Sequence, residues 1–159
     1  MTVQTKSTRS AELHRPTLKQ YKRQVRGEGP GEIKRWFTRS FGAASPGRFW
    51  HYWNPTYGYY LLYFVYKPLG RFLPRPLALY LTFLACGFVA HDLLLWAVVG
   101  EPRFPVFSVL FSFFAVEVIL TEAMRFNLAS RPFTIRVAAN VGFLIAAVAG
   151  TGVIEMFKG

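Results

Sequence analysis

Residues 48–69 read RFWHYWNPTYGYYLLYFVYKPL, and residues 76–99 read PLALYLTFLACGFVAHDLLLWAVV. About 20 mostly apolar residues suffice for a helix to cross the hydrocarbon core of a bilayer, so the second stretch predicts a membrane span. The first stretch is too polar to cross alone. Its two tryptophans and six tyrosines are typical of headgroup depth. It therefore predicts an interfacial or re-entrant segment that ends at Lys67-Pro68.

Two more stretches are long and apolar enough to span, at residues 105–124 and 137–157. The prediction is an all-α polytopic membrane protein with three transmembrane helices. Residues 48–159 form the membrane domain, and residues 1–47 form a basic N-terminal region on the cytoplasmic side.

The positive charge of the chain is concentrated near its N-terminus. Residues 1–48 hold eleven Lys or Arg against three Glu, a net charge of +8 out of +11 for the whole chain. Such a region is attracted to anionic lipid headgroups, although a solvated basic tail is the simpler alternative. Residues 32–41 predict a short amphipathic helix, lying either at the interface or packed on the protein. The basic residues mark no nucleic-acid-binding fold, so nucleic acid is not an expected partner.

The loop charges predict an orientation. Arginines and lysines lie in the segment before the first span and in the loop between the second and third spans, whereas Arg103 alone is opposed by Glu101 in the loop between the first two. The positive-inside rule then places the N-terminus in the cytoplasm and the C-terminus outside. No signal peptide is expected, because residues 1–48 contain no apolar stretch of the required length. The single cysteine, Cys86, allows neither a disulfide framework nor a Cys/His zinc site, and no metal is expected.

Among the polar residues inside the predicted spans, four are candidates for a special role: His91, Asp92, Glu117 and Asn140. Ionisable groups at such positions usually mark a functional site or a contact between helices. For each of the four, a hydrogen bond to a neighbouring helix is the plain alternative. His91 and Asp92 point about 100° apart on a helix, so a dyad between them is not expected.

Three motifs taken together resemble the membrane-bound O-acyltransferase family. They are Phe49-Trp50-His51-Tyr52-Trp53-Asn54-Pro55-Thr56, then Tyr63-Phe64-Val65-Tyr66-Lys67-Pro68, then a helix with Phe83, Gly87 and His91. The resemblance covers the C-terminal part of that family, which usually has about ten membrane helices. It implies that His91 is the general base and that Asn54 is the second catalytic residue. It also implies that Trp50, Trp53 and Thr56 contact the substrate, with an acyl thioester as donor, a hydroxyl as acceptor and no further cofactor.

Two other functions fit the same residues. One is a non-catalytic subunit of a larger membrane complex, held by other membrane subunits or by self-association and using the basic region to bind a partner. The other is ligation of a tetrapyrrole by His91, with Gly87 one turn earlier leaving room for the macrocycle.

Overall fold

The computed structural model describes residues 15–157, which form helices joined by turns. Three short helices come first: α1 (Leu18–Arg26), α2 (Glu32–Phe41) and α3 (Pro46–Trp53). Helix α4 begins as Pro55–Tyr60, continues as the π-helical segment Leu61–Tyr66 and ends with Lys67–Leu69. Three long helices follow: α5 (Arg75–Val99), α6 (Val106–Ala123) and α7 (Phe133–Met156). Within α5, residues Phe88–Asp92 are also π-helical.

The three long helices correspond to the three predicted spans, and α5, α6 and α7 are each long and apolar enough to cross a bilayer. The first two agree with the sequence prediction to within one residue at each end. The third begins at Phe133 rather than Val137. Pro132 precedes its first turn, and the guanidinium of Arg136 lies over the ring of Phe133, 5.9 Å from its centroid. The first turn of α7 thus contains a basic residue. The prediction from the apolar pattern had left this turn out of the span for that reason.

The aromatic segment forms two helices that meet at Asn54. Pro55 cannot continue α3 because it has no N–H, and the Asn54 side chain instead accepts a hydrogen bond from the backbone N–H of Tyr57 at the start of α4. The segment ends one residue after the predicted Lys67-Pro68, since the helix runs to Leu69. Pro68 lies two residues after the π-helical segment, within the last short turn Lys67–Leu69.

The long helices pack closely where small residues face a neighbouring backbone or ring. A Cβ atom at Gly87 of α5 would lie 2.6 Å from the carbonyl oxygen of Phe107 in α6. A Cβ atom at Gly150 of α7 would lie 2.8 Å from the ring of Phe113 in α6. An ion pair of 2.9 Å between Arg75 and Glu122 joins the start of α5 to the end of α6. The two helices are therefore antiparallel neighbours.

Helix α3 lies along α6. Gly47 approaches Val118 and Glu122, and the indole of Trp50 contacts the rings of Phe111 and Phe114, with centroid distances of 5.9 and 4.6 Å. Phe111 and Phe114 lie in the middle of α6 rather than at its end. Trp50 therefore packs against the middle of the second long helix, where these phenylalanine rings bury part of its indole.

The basic region contains more structure than its composition indicated. Helix α1 begins with a capping box between Thr17 and Gln20, and its buried Tyr21 and Val25 pack on Tyr59 of α4. Helix α2 has the bounds that the sequence predicted. Its Trp36 donates a hydrogen bond to the carbonyl of Trp53, which favours packing over the interfacial alternative for this residue.

Two arginines of this region hold the turn between α1 and α2. Arg35 donates to the carbonyl oxygens of Glu28, Gly29 and Pro30, and Arg39 donates to that of Val25. Gly27, Gly29 and Gly31 all have positive φ, which glycine tolerates without strain. The chain thus turns at these glycines, and part of the positive charge serves folding.

Candidate functional site

A cavity of about 440 Å³ lies between α3 and α4 on one side and α5 and α6 on the other. Four of the five residues that the sequence analysis assigned to a site line it: Trp50, Trp53, Asn54 and His91. The fifth, Thr56, is not among the lining residues. Residues separated by 37 positions thus meet at one cavity, because α4 runs beside the helix that carries His91.

His91 is half-buried, and its hydrogen bond determines its tautomer. Its Nδ1 lies 2.9 Å from the carbonyl oxygen of Cys86. A carbonyl oxygen can only accept, so Nδ1 carries the proton and Nε2 holds the lone pair in the neutral ring. No residue from 15 to 157 hydrogen-bonds to Nε2. A neutral imidazole with a free Nε2 is the form that a general base or a metal ligand requires.

Aromatic rings surround His91. Ring centroids lie 4.9 Å away at Phe111, 5.2 Å at Phe107 and 6.2 Å at Tyr57. The first two come from α6, whereas Tyr57 comes from the first turn of α4. Apolar walls of this kind lower the local dielectric constant, which strengthens any hydrogen bond that Nε2 forms with a bound molecule.

The π-helical segment Phe88–Asp92 sets the direction of His91. Within it the hydrogen-bond spacing widens to five residues, as in the bond from the Leu93 N–H to the Phe88 carbonyl. A local π-helix rotates the following side chains relative to a regular α-helix and is frequent at functional sites. Neither π-helical segment was predicted, since apolar periodicity does not distinguish π from α spacing.

Asn54 has two chemically different ends. Its Oδ1 accepts from the Tyr57 N–H at 3.3 Å and so caps α4. Its amide Nδ2 forms no hydrogen bond with any residue in the described range, and the residue borders the cavity. The side chain therefore has a structural role at one end and an unused donor at the other.

Several lining residues were not singled out by the sequence analysis, among them Tyr21, His51 and Arg75. Burial, assisted by the nearby Arg48, lowers the pKa of His51. Burial, assisted by Tyr63, raises the pKa of Tyr21. Both changes keep the side chain neutral. In the sequence analysis, Arg75 was only one of the positive charges before the first span that were used to predict the orientation in the membrane.

Asp92 is fully buried and joins two spans. Its carboxylate accepts from the backbone N–H groups of Phe107 and Ser108, at 3.0 and 2.8 Å, and from the Ser108 hydroxyl at 2.5 Å. These two N–H groups belong to the first turn of α6, which Pro105 precedes without a side-chain cap. Asp92 therefore caps α6 from the neighbouring helix, as the plain alternative for this residue proposed.

Asn140 also has a packing role. Its Nδ2 lies 2.9 Å from each of the carbonyl oxygens of Phe41, Ala43 and Arg136. The first two belong to the junction between α2 and α3. This amide fixes α7 to the basic region and lies outside the cavity.

Comparisons of the chain with protein-family models, curated proteins and solved structures give no match. The assignment of a function to this site therefore depends on its geometry and on the motifs.

The tetrapyrrole hypothesis gains no support from this geometry. The space beside Gly87, which was expected to admit a macrocycle, is occupied by the backbone of Phe107 and Ser108. The glycine permits α5 and α6 to approach each other instead. Within residues 15–157, no group of three or more His, Cys, Asp or Glu side chains is arranged to hold a metal ion.

Proposed function

We propose that this chain is a membrane-bound O-acyltransferase-like protein that transfers an acyl group from a thioester to a hydroxyl, with His91 as general base. The observation that carries the proposal is the hydrogen bond from His91 Nδ1 to the Cys86 carbonyl, because it leaves the basic Nε2 on a residue that lines the cavity. The motifs that resemble the acyltransferase family include this histidine and Asn54.

The proposed reaction uses groups on both sides of the cavity. His91 Nε2 accepts the proton of the acceptor hydroxyl as its oxygen attacks the thioester carbonyl. The new C–O bond forms, the C–S bond breaks, and the imidazolium returns the proton to the departing thiolate. Asn54 Nδ2 donates to the carbonyl oxygen as negative charge develops on it. Trp50 and Trp53 form the walls that position the substrate.

We also propose that the N-terminus is cytoplasmic, that the C-terminus is external, and that α3 and α4 form a re-entrant hairpin. Gly47, at the start of α3, is level with Glu122, the residue paired with Arg75 at the start of α5. Tyr57, beyond the turn at Asn54, stacks on His91, far along α5. The hairpin would thus enter from the Arg75 side, turn at Asn54 and return to the same side.

Exposed lysines are proposed to bind anionic lipid headgroups on that side. Lys19 and Lys34 are exposed and form no ion pair with the described residues, in contrast to Arg35 and Arg39, which donate to carbonyls. Cationic side chains near an anionic membrane surface each favour binding by about 1 kcal/mol.

The test of the proposed reaction is transfer of a labelled acyl group from a thioester donor in reconstituted membranes. His91→Ala is expected to reduce transfer by about 10²–10⁴-fold, the usual cost of losing a general base. His51→Ala is the matched control, since His51 lines the same cavity but belongs to the aromatic segment. This control is expected to retain much more activity.

Equal transfer by the His91→Ala protein and the unmodified protein would remove His91 from the mechanism. Transfer by the unmodified protein only with a co-purified membrane protein would identify the chain as one part of a split enzyme. Absence of transfer in both preparations would favour the second candidate function, a non-catalytic subunit of a membrane complex. One observation supports that second function independently: the carboxyl group of Glu117, within the second span, has no partner among residues 15–157.

A further inference from the structure

Glu117 differs from the other polar residues of the spans. Asp92 and Asn140 are buried and form hydrogen bonds to neighbouring elements, and His91 is bonded to the backbone of its own helix. The carboxyl group of Glu117 forms no hydrogen bond and no ion pair with any residue in the described range 15–157. The backbone carbonyl of Glu117, by contrast, accepts a hydrogen bond from the hydroxyl of Thr121.

The position of Glu117 makes a lone carboxylate costly. Glu117 lies six positions before the end of α6 at Ala123, which is about 9 Å along a helix. The adjacent Val116 and Leu120 are 43% and 53% exposed, so the surface beside Glu117 is apolar and uncovered. A carboxyl group among apolar residues at this depth is stabilised by a counter-charge or by a hydrogen-bond donor.

The arginines of the long helices lie nearer to the helix ends than Glu117 does. Arg75 is the first residue of α5 and pairs with Glu122. Arg136 is the fourth residue of α7, and its guanidinium lies over the ring of Phe133. Residues 76–99, 106–123 and 137–157 contain no Lys or Arg. The histidine within these stretches, His91, lies sixteen positions beyond the start of α5 and therefore at a different depth from Glu117. No Lys or Arg of the three long helices thus stands at the depth of Glu117, so a cation at that depth would be supplied by a different protein.

We propose that the face of α6 around Glu117 binds a transmembrane helix of another membrane protein, one that carries a lysine or arginine at the depth of Glu117. Val116 and Leu120 supply the apolar contact, and the ion pair supplies specificity. The surface is separate from the cavity, since Glu117 is not among the residues that line it. The inference therefore holds whether or not His91 is a catalytic base.

The test uses liposomes that contain the fluorescently labelled full-length chain and a labelled leucine-rich transmembrane peptide of about 20 residues. One peptide has a single lysine about 9 Å from its end, and the other has leucine at that position. Energy transfer between the labels reports association. The lysine peptide is expected to associate about five- to thirty-fold more tightly, the range typical of one polar contact between membrane helices.

Substitutions at Glu117 decide whether this carboxylate is the cause. Glu117→Gln keeps the size of the side chain and is expected to remove the preference for the lysine peptide. Glu117→Lys is expected to transfer the preference to a peptide with glutamate at the same position. Glu122→Gln is the matched control, because that carboxylate already pairs with Arg75, and it is expected to leave the preference unchanged.

Equal association of the lysine and leucine peptides would overturn the proposal. So would a preference for lysine that persists in Glu117→Gln while the variant retains the thermal stability of the unmodified chain. Self-association of the chain that depends on Glu117 would also overturn it, since the occupant of the surface would then be a second copy.

Discussion

Single residues carry two roles at this site, and Asn54 is the clearest case. Its Oδ1 starts α4, and its Nδ2 is free at the cavity. The sequence indicated that Asn54 and His91 belong to one site through their motifs. It did not indicate the cap, because the Asn-Pro pair is compatible with several kinds of turn.

The two roles of Asn54 are separable by substitution. Asn54→Asp keeps an oxygen that accepts from the Tyr57 N–H but loses the amide donor, so the protein is expected to remain folded. If Nδ2 stabilises the developing oxyanion, acyl transfer decreases by about 10²–10³-fold. Asn54→Ala loses the cap as well, and its free energy of unfolding should decrease by about 1 kcal/mol.

Transfer rates and thermal unfolding in detergent, measured on the same preparations, distinguish these effects. Full activity in Asn54→Asp would show that the amide is not needed for transfer. A large loss of stability in the same variant would instead assign the defect to folding.

At the scale of the helices, Asp92 determines how α5 and α6 meet. It satisfies two backbone N–H groups that a helix preceded by Pro105 leaves without a side-chain cap. Phe107 follows two residues after Pro105, and its ring then lies against His91. The carboxylate next to the candidate base thus fixes one wall of its pocket.

Asp92→Ala is expected to lower the free energy of unfolding by about 1–3 kcal/mol, because it leaves buried N–H groups without an acceptor. Ser108→Ala is the matched control and should have a smaller effect, since it removes a single hydroxyl that donates to the same carboxylate. Thermal unfolding followed by circular dichroism compares them. Equal stability of Asp92→Ala and the unmodified chain would contradict the capping role.

The helices differ in how well the sequence predicted them. Apolar length identified the three spans, and the spacing of Ile33, Trp36 and Phe37 identified α2 with its observed bounds. Helix α1 was missed because most of its residues are charged or polar, and two buried side chains, Tyr21 and Val25, attach it to the protein. Tertiary contacts of this kind leave little periodicity in a nine-residue segment.

The residues of the candidate site, like the helices, were predicted only in part. The motifs gave Asn54, His91 and the two tryptophans, which line one cavity, but not Tyr57 or Arg75, which approach from other turns of the helices. Which residues from distant parts of the chain line the cavity depends on the angle at which α4 lies against α5. Neither composition nor spacing determines that angle.

At the scale of the whole molecule, the proposed orientation leads to a direct test. A periplasmic-type reporter enzyme fused at the C-terminus is expected to be active, and a fluorescent protein that folds in the cytoplasm is expected to be dark there. The reason is the excess of Arg and Lys in the loops assigned to the inside. Fluorescence from the C-terminal fusion would contradict the orientation.

Labelling of engineered cysteines gives an independent control. Cys86 is the single cysteine of the chain and is buried, so Cys86→Ala provides a background for Pro102→Cys in the loop between α5 and α6. A membrane-impermeant reagent should label this position from outside intact cells.

The amide of Asn140 has a consequence for biosynthesis. It bonds to the carbonyl of Ala43 across 97 positions of the chain, and Ala43 is buried. At about 5–20 residues per second, the ribosome reaches Asn140 roughly 5–20 s after Ala43. During that interval the carbonyl oxygen of Ala43, at the junction between α2 and α3, lacks the donor that Asn140 later supplies. The N-terminal helices therefore complete their native contacts only after the last span has been synthesised and inserted.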